Sequence, residues 1–147
     1  MNNQPNLCLG TVQFGLNYGI TNSSGQVSEA EVARILIAAQ QAGISWLDTA
    51  QAYGNAESVL GRQLPHGHQM RLISKLPAQN ALKLEDQNAE AWQSAFDTTC
   101  HSLGRNKIDS FLLHQPSDLL KPGGQILEKW LLSLRERGLV QRLGVSI

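Results

Sequence analysis

Four side chains of types used in proton transfer lie at or just after the ends of predicted strands. Asp48 ends the segment ISWLD, Tyr53 lies five positions later, Lys75 ends MRLISK, and His114 ends IDSFLLH. Taken singly, each has an ordinary interpretation. The aspartate would be a helix N-cap, the tyrosine would pack against its neighbours, the lysine would be exposed to solvent, and the histidine would cap its strand. Lys75 and His114 are less easily explained in this way, because the residues before them are mostly apolar.

Taken together, the four residues predict a site that donates a proton. A tyrosine is a weak proton donor at neutral pH. An ammonium about 4 Å from a phenol favours the phenolate by about 4 kcal/mol at an effective dielectric constant of about 20. A buried lysine in turn needs an anion beside it, which Asp48 can supply. A histidine can orient a substrate carbonyl by hydrogen bonding. This combination suits protonation of an oxygen that gains negative charge, as when hydride adds to a carbonyl.

The elements that must position these residues alternate between strands and helices. The first helix has Ser28 as a candidate N-cap, with Glu31 at the capping-box spacing, and Gly43 closes it. Later helices are predicted to end at Pro65, Gly104 and Gly138. Strands are predicted at residues 6–11, 44–48, 70–75, 108–114 and 143–147, with loops at residues 12–26 and 115–124. Such alternation predicts parallel strands joined by right-handed crossovers.

Two architectures fit this order, a doubly wound open sheet and a (β/α)₈ barrel. The stretch GTVQFG after the first strand does not match G-x-G-x-x-G, which favours the barrel. In a parallel array the active-site groups cluster where strands end and loops begin. The first strand therefore adds Gly10, Thr11 and Gln13 to the candidate site, and the fifth adds Ser146.

Composition bounds the class of protein. The 147 residues carry 12 basic and 12 acidic side chains, which predicts one globular domain without a nucleic-acid-binding surface. No apolar run is long enough for a membrane span, and no signal peptide accompanies Cys8 and Cys100, so we expect a cytoplasmic protein. His66 and His68 lack further ligands nearby, so we expect a solvated turn and no metal.

Five segments resemble the aldo-keto reductases, in that family's order and over essentially the whole chain: GTVQFG, LDTAQAYGNAESVLG, SKL, LLHQP and RLGVS. The pattern DTA-x-x-YG-x-x-E-x-x-LG is specific, whereas SKL and LLHQP are weak alone. The resemblance implies a (β/α)₈ barrel and NAD(P)H-dependent reduction of aldehydes and ketones. It also implies that Asp48, Tyr53, Lys75 and His114 form the catalytic tetrad, with Tyr53 as the acid, Lys75 and Asp48 as its tuning pair, and His114 as the carbonyl orienter.

The resemblance also implies which residues contact the cofactor, NADPH or NADH. Gly10, Thr11, Val12 and Gln13 match the loop beside the nicotinamide. Ser146 matches a residue that hydrogen-bonds the carboxamide, and Asp48 counts among the cofactor contacts. The chain departs from the family at Ile147, where asparagine is common.

A complete barrel takes about 250 residues, so residues 1–147 are expected to be the N-terminal portion of a single barrel domain. This portion comprises about four βα units and the start of strand five. Its two open edges predict self-association or pairing with a C-terminal half. The resemblance implies that most contacts to the cofactor's phosphates belong to later strands, so we expect weak or no cofactor binding by these residues alone. The alternative function is a reductase-like binding or regulatory chain without turnover. The substrate identity and the choice between NADH and NADPH rest on residues outside this segment.

Overall fold

A parallel sheet of five strands forms the centre of the computed structural model, which describes residues 7–65 and 67–147. The strands are β1 (Cys8–Gly10), β2 (Trp46–Asp48), β3 (Arg71–Leu76), β4 (Ile108–Leu113) and β5 (Val140–Val145). The helices are α1 (Val12–Gly15), α2 (Glu29–Gln41), α3 (Ala56–Gln63), α4 (Asn88–Leu103) and α5 (Gly124–Glu136), and a 3-10 helix spans Pro116–Leu120.

The order of the strands distinguishes the two architectures that the sequence allows. Strands lie side by side in chain order, β1-β2-β3-β4-β5, and every neighbouring pair is parallel. A doubly wound open sheet reverses its strand order at a switch point, whereas a barrel adds each strand beside the previous one. The predicted partial (β/α)₈ barrel is therefore confirmed.

The helix boundaries follow from local sequence signals. Ser28 precedes α2, and its hydroxyl accepts a hydrogen bond from the backbone N–H of Glu31 at 3.3 Å, which confirms the predicted N-cap. Gly104 follows α4 with a φ of 63°, a left-handed conformation that glycine adopts without a steric cost. Two of the predicted helix ends are thus explained by one hydroxyl and one glycine.

The two faces of the sheet differ in their environment. On the face that packs against the helices, Leu47, Leu72 and Phe111 are buried, and the Phe111 ring meets Phe96 of α4 edge-on at 5.2 Å. Successive side chains of a strand point to opposite faces. The other face, which we call the open face, carries the alternate residues Trp46, Asp48, Ile73, Lys75, Leu112 and Arg142.

Apolar side chains on the open face are covered less than those on the helix-facing side. Trp46, Ile73 and Leu112 are half-buried. The guanidinium groups of Arg71 and Arg142 each lie 5.2 Å from the centre of the Trp46 ring. The self-association or pairing expected from the two open edges stays a prediction.

The predicted position of strand five is wrong. The sequence placed the strand at residues 143–147, but β5 spans Val140–Val145. Val140 pairs with Ile108 and is almost completely buried, so the strand begins three residues earlier than expected. Gln141 and Arg142 concealed this start, because they are polar and exposed. Charged residues are tolerated here since Arg142 lies against an aromatic ring on the open face.

Two short helices lie inside segments that were predicted to be loops. The helix α1 occupies four residues of the segment 12–26, and the 3-10 helix occupies part of the segment 115–124. A helix of one turn is too short to show a hydrophobic period, so pattern reasoning misses it. Pro116 starts the 3-10 helix, where its missing N–H costs no hydrogen bond.

Within residues 7–65 and 67–147, no helix is long and apolar enough to cross a membrane. Cys8 and Cys100 are both free thiols.

Candidate active site

Three adjacent strands bring the aspartate, lysine and histidine of the predicted tetrad to one edge of the sheet. Asp48 is the last residue of β2, Lys75 lies next to the end of β3, and His114 directly follows β4. Because all three strands are parallel, their carboxyl ends meet at the same edge. Tyr53 reaches the same place from the turn between β2 and α3. The structure therefore brings together the four residues predicted from their positions after strands.

Lys75 is the centre of this cluster. Its side chain is only 3% exposed, and its ammonium donates to Asp48 Oδ1 at 2.6 Å and to the Thr49 carbonyl oxygen at 3.0 Å. The third donor is directed at the Tyr53 hydroxyl at 3.4 Å. A protonated lysine has three N–H donors, so all of them have acceptors here. A buried charge requires such pairing, and the arrangement holds the ammonium in one place.

The backbone carbonyl of Thr49 is a member of the site that sequence reasoning missed. Thr49 follows the strand aspartate, and its side chain is fully buried. No residue type signals this role, because a main-chain acceptor is available at every position.

Tyr53 is held by contacts to its ring and to its backbone. The ring meets the His114 imidazole edge-on, with centroids 5.9 Å apart and planes at 89°, and Lys75 Nζ lies 4.9 Å from its centre. In the backbone, the Tyr53 N–H donates to the Ala50 carbonyl at 3.0 Å, and the Tyr53 carbonyl accepts from Ala56 at 3.1 Å. A turn with its own hydrogen bonds therefore holds the Tyr53 ring against the imidazole and its hydroxyl at the ammonium.

The tyrosine turn also packs directly on the helix that follows the first strand. A Cβ atom placed on Gly15 would lie 1.8 Å from the Tyr53 carbonyl oxygen. Gly54 has a φ of 59°, and a Cβ there would lie 2.3 Å from the Gly15 carbonyl oxygen. Both positions exclude a side chain, so the two backbones are in contact. Gly15, the last residue of GTVQFG, and Gly54, the last residue of AYG, thus position the phenol together.

The first two predicted cofactor contacts lie beside Asp48. Gly10 pairs with Asp48 in the parallel register, and a Cβ placed on Gly10 would meet no atom within 4 Å. Thr11 is fully buried, and its hydroxyl donates to the Asp48 carbonyl oxygen at 2.9 Å. The Thr11 side chain therefore holds the first loop against β2, whereas Gly10 leaves open space next to Asp48.

The other predicted cofactor contacts lie in the first loop and after the fifth strand. Val12 is half-buried, and the exposed Gln13 donates to the Tyr18 carbonyl oxygen at 2.9 Å. Ser146 follows β5, and its N–H donates to the Leu113 carbonyl oxygen at 2.9 Å. Ser146 is therefore at the same edge of the sheet as His114, and its contact with a cofactor stays a prediction.

The environment of His114 favours a neutral imidazole. Burial lowers the pKa of His114 below its usual 6.5, and the positive charge of Lys75 lowers it further, while Asp48 raises it in part. A neutral imidazole keeps one N–H donor and one acceptor nitrogen. His114 can therefore donate a hydrogen bond to a carbonyl oxygen at neutral pH without bringing a second positive charge to the site.

This lowered pKa predicts a loss of stability on acidification. As the pH falls below about 6.5, the unfolded chain takes up a proton at His114 before the folded protein does. The free energy of unfolding should therefore decrease as the pH falls from 6.5 to the pKa of the folded state. In His114→Gln this contribution is absent, so urea unfolding should show a shallower dependence between about pH 7.5 and about pH 5.

His68 also makes the free energy of unfolding decrease on acidification, since burial and then the charge of Arg105 lower the pKa of His68. The His114→Gln protein should therefore keep part of the dependence, and His68→Gln should remove another part. Exposed His101 of α4 gives the control variant, His101→Gln. Equal pH dependence in wild type and His114→Gln would contradict the assignment.

The histidine pair considered as a metal site lies apart from these groups. His68 Nδ1 accepts from the Met70 N–H at 3.1 Å, and its Nε2 contacts Arg105. His66 lies outside the residues that the structure describes. In the described part of the chain, no three histidine, cysteine or acidic side chains are grouped as metal ligands.

Comparison with known proteins identifies the family to which the chain belongs. The family model described as the aldo/keto reductase family matches residues 6–147. The chain belongs to this family. Among aldo-keto reductases, one from Mycolicibacterium vanbaalenii is 32% identical over 124 residues, which are 83% of this chain and 42% of that protein. Another, from Mycobacterium sp. strain MCS, is 30% identical over 82% of this chain and 41% of its own length.

Solved structures show the same fold. A protein of the same family from Pseudomonas aeruginosa superposes with a TM-score of 0.78 at 27% identity, over 96% of this chain and 55% of that one. A Bombyx mori aldo-keto reductase in complex with NADP gives a TM-score of 0.64 at 24% identity, over 97% and 46% of the two chains. The chain thus spans about half the length of these relatives and corresponds to part of an aldo-keto reductase barrel.

Proposed function

We propose that the protein is an oxidoreductase that reduces an aldehyde or ketone to an alcohol with NADPH or NADH, and that Tyr53 donates the proton. The observation that carries this proposal is the buried Lys75 ammonium, whose donors are directed at Asp48, the Thr49 carbonyl and the Tyr53 hydroxyl. A structural ion pair does not require a phenol as its third partner. Membership of the aldo/keto reductase family supports the same reaction class.

The residues beside Asp48 fit a nicotinamide cofactor. Gly10 leaves space where any other residue would place a side chain, and Asp48, Val12, Gln13 and Ser146 lie around the same edge of the sheet. These residues, with the backbone of Thr11, would hold the nicotinamide end. When bound, the cofactor supplies a hydride to the carbonyl carbon of the substrate.

The residues of the chain then handle the charge on the substrate oxygen. His114, kept neutral by burial and by Lys75, donates an N–H to the carbonyl oxygen and orients it. The oxygen gains an electron pair as the carbon is reduced, and the Tyr53 O–H bond breaks to protonate it. Lys75 stabilises the resulting phenolate from 3.4 Å, and Asp48 balances the charge of Lys75. Tyr53 is half-buried, so water can return the proton.

The assay for this proposal uses residues 1–147 together with the C-terminal half of the barrel with which they are expected to pair, because cofactor binding is expected to be weak without it. It follows the loss of NADPH or NADH absorbance with a panel of aliphatic and aromatic aldehydes and ketones, with the alcohol product quantified. We expect alcohol formation in proportion to cofactor consumed, and no consumption when the carbonyl compound is omitted. A natively folded protein that binds either cofactor but forms no alcohol with any carbonyl would reject the proposed reaction. A protein that binds neither cofactor would favour the alternative, a reductase-like chain without turnover. The cytoplasmic location expected from the sequence stays a prediction.

A further inference from the structure

A buried carboxyl group lies behind the candidate site, on the helix-facing side of the sheet. Glu57 is in the first turn of α3 and is only 5% exposed. Its Oε1 accepts a hydrogen bond from Ser74 Oγ at 2.5 Å and another from Thr99 Oγ1 at 3.1 Å. Ser74 and Thr99 are themselves buried. Among the described residues, no lysine, arginine or histidine forms an ion pair with Glu57, so hydroxyl groups alone satisfy it.

Burial of a carboxyl group without a cationic partner lowers the stability of a protein. Burial raises the pKa of Glu57, and the hydrogen bonds from Ser74 and Thr99 lower it only in part. A leucine of similar size at this position would bury apolar surface without that cost. The cost indicates that the hydrogen bonds of Glu57 contribute something that apolar packing does not provide.

The two partners of the short hydrogen bond belong to the segments that carry the proton donor and its cation. Ser74 directly precedes Lys75 in β3, and side chains of consecutive strand residues point to opposite faces. Glu57 follows Tyr53 by four residues, and a backbone hydrogen bond from Ala56 to the Tyr53 carbonyl closes the turn between them. The Glu57–Ser74 bond therefore ties the tyrosine turn to the lysine strand from behind the sheet.

We propose that Glu57 and Ser74 are positioning residues that set the distance between the Tyr53 hydroxyl and Lys75 Nζ, an inference that rests on the proposed function. That distance is 3.4 Å, at the long end of the range for a hydrogen bond, so a small shift of either segment breaks the contact. Neither Glu57 nor Ser74 touches the reacting atoms. Their effect passes through one peptide bond to Lys75 and through one turn to Tyr53.

Thr99 provides a matched control. Thr99 donates to the same carboxyl group and is also buried. It lies in α4, and neither residue next to it in the sequence belongs to the site. Ser74→Ala and Thr99→Val each remove one hydroxyl group that donates a hydrogen bond to Glu57. Both variants should lose comparable stability in thermal unfolding, whereas only Ser74→Ala loosens the segment that carries Lys75.

The first measurement is steady-state reduction of an aldehyde with NADPH, by the same two-half barrel as in the assay for the proposed function. We expect kcat to fall about tenfold in Ser74→Ala, because misplacement of reacting groups by fractions of an ångström slows chemistry, and to stay within about twofold in Thr99→Val. The KM for the aldehyde and the Kd for NADPH should stay within about twofold in both variants. Glu57→Gln keeps Oε1 as an acceptor and should retain kcat within about threefold. An equal fall of kcat in Ser74→Ala and Thr99→Val would overturn the proposal, since it would reveal a purely structural role.

The second measurement needs no turnover and separates this inference from the proposed function. A crystal structure of Ser74→Ala should show the distance between Lys75 Nζ and the Tyr53 hydroxyl lengthened by about 0.5 Å or more, the tolerance of a catalytic arrangement. An unchanged distance would overturn the positioning role even if the protein is an active reductase. Failure of the wild type to reduce any carbonyl compound would reject the proposed function, while this distance would still decide whether Glu57 and Ser74 position the pair.

Discussion

Replacement of Tyr53 by phenylalanine is expected to lower kcat for carbonyl reduction by about 10²- to 10⁴-fold, the usual contribution of a general acid. The change removes only the hydroxyl, which contacts Lys75, and keeps the ring that meets His114 edge-on at 5.9 Å. Cofactor binding should therefore be unaffected. The measurements are steady-state reduction of an aldehyde and fluorescence titration with NADPH, each on the two-half barrel with and without the substitution.

The chain offers a matched control for this substitution. Tyr18 is its other tyrosine, lies in the first loop and is 57% exposed. Tyr18→Phe should leave kcat unchanged within about twofold, since Tyr18 contacts Gln13 through its backbone carbonyl, which the substitution keeps, and its side chain is exposed. If Tyr53→Phe reduces the aldehyde as fast as Tyr18→Phe, the phenol is not the proton donor.

Lys75→Met is the second substitution with a large expected effect. Methionine fills the same space but removes the ammonium that stabilises the phenolate, so kcat should fall by about 10²-fold or more. Asp48 loses its cationic partner. Breaking a fully buried ion pair costs about 3–5 kcal/mol, but the Asp48 side chain is 30% exposed and can be hydrated, so the free energy of unfolding should fall by less. Urea unfolding measures this second effect independently of turnover.

Lys83→Met provides the comparison. The Lys83 side chain is 67% exposed and pairs with Glu85 on the surface at 2.9 Å. Surface ion pairs contribute about 0–1 kcal/mol, so both stability and kcat should stay close to wild type. Retention of kcat by Lys75→Met would show that the ammonium has no part in proton transfer and would leave only its structural pairing with Asp48.

The candidate site was predictable because a parallel sheet converts positions in the sequence into positions in space. Asp48, Lys75 and His114 each end a predicted strand, and parallel strands end at one edge, so their convergence needs no knowledge of side-chain conformation. The proton-transfer role of Tyr53 followed from the lysine and histidine at the next two strand ends, since a turn of that composition alone does not require a reactive phenol, and the family resemblance implied the same role. The N-cap at Ser28 followed from a local hydrogen-bonding pattern.

The features that the sequence did not predict depend on contacts between distant segments. The early start of β5 is stabilised by pairing with β4, and the polar residues there hide it. The hydrogen bond between Glu57 and Ser74 joins residues 17 positions apart. Glu57 was visible within the motif AYGNAESVLG, but a glutamate in the first turn of a helix is normally exposed, so its burial could not be expected.

The three tryptophans divide the spectroscopic signals of the protein between its two sides. Trp92 and Trp130 lie in the core with ring centroids 5.7 Å apart, so their emission reports on the integrity of the helix-facing packing. Trp46 is half-buried on the open face, with two guanidinium groups near its ring. Its emission and its accessibility to a quencher such as iodide therefore report on whatever covers that face. One fluorescence experiment with Trp46→Phe as the reference thus distinguishes unfolding of the helix-facing core from exposure of the open face to solvent.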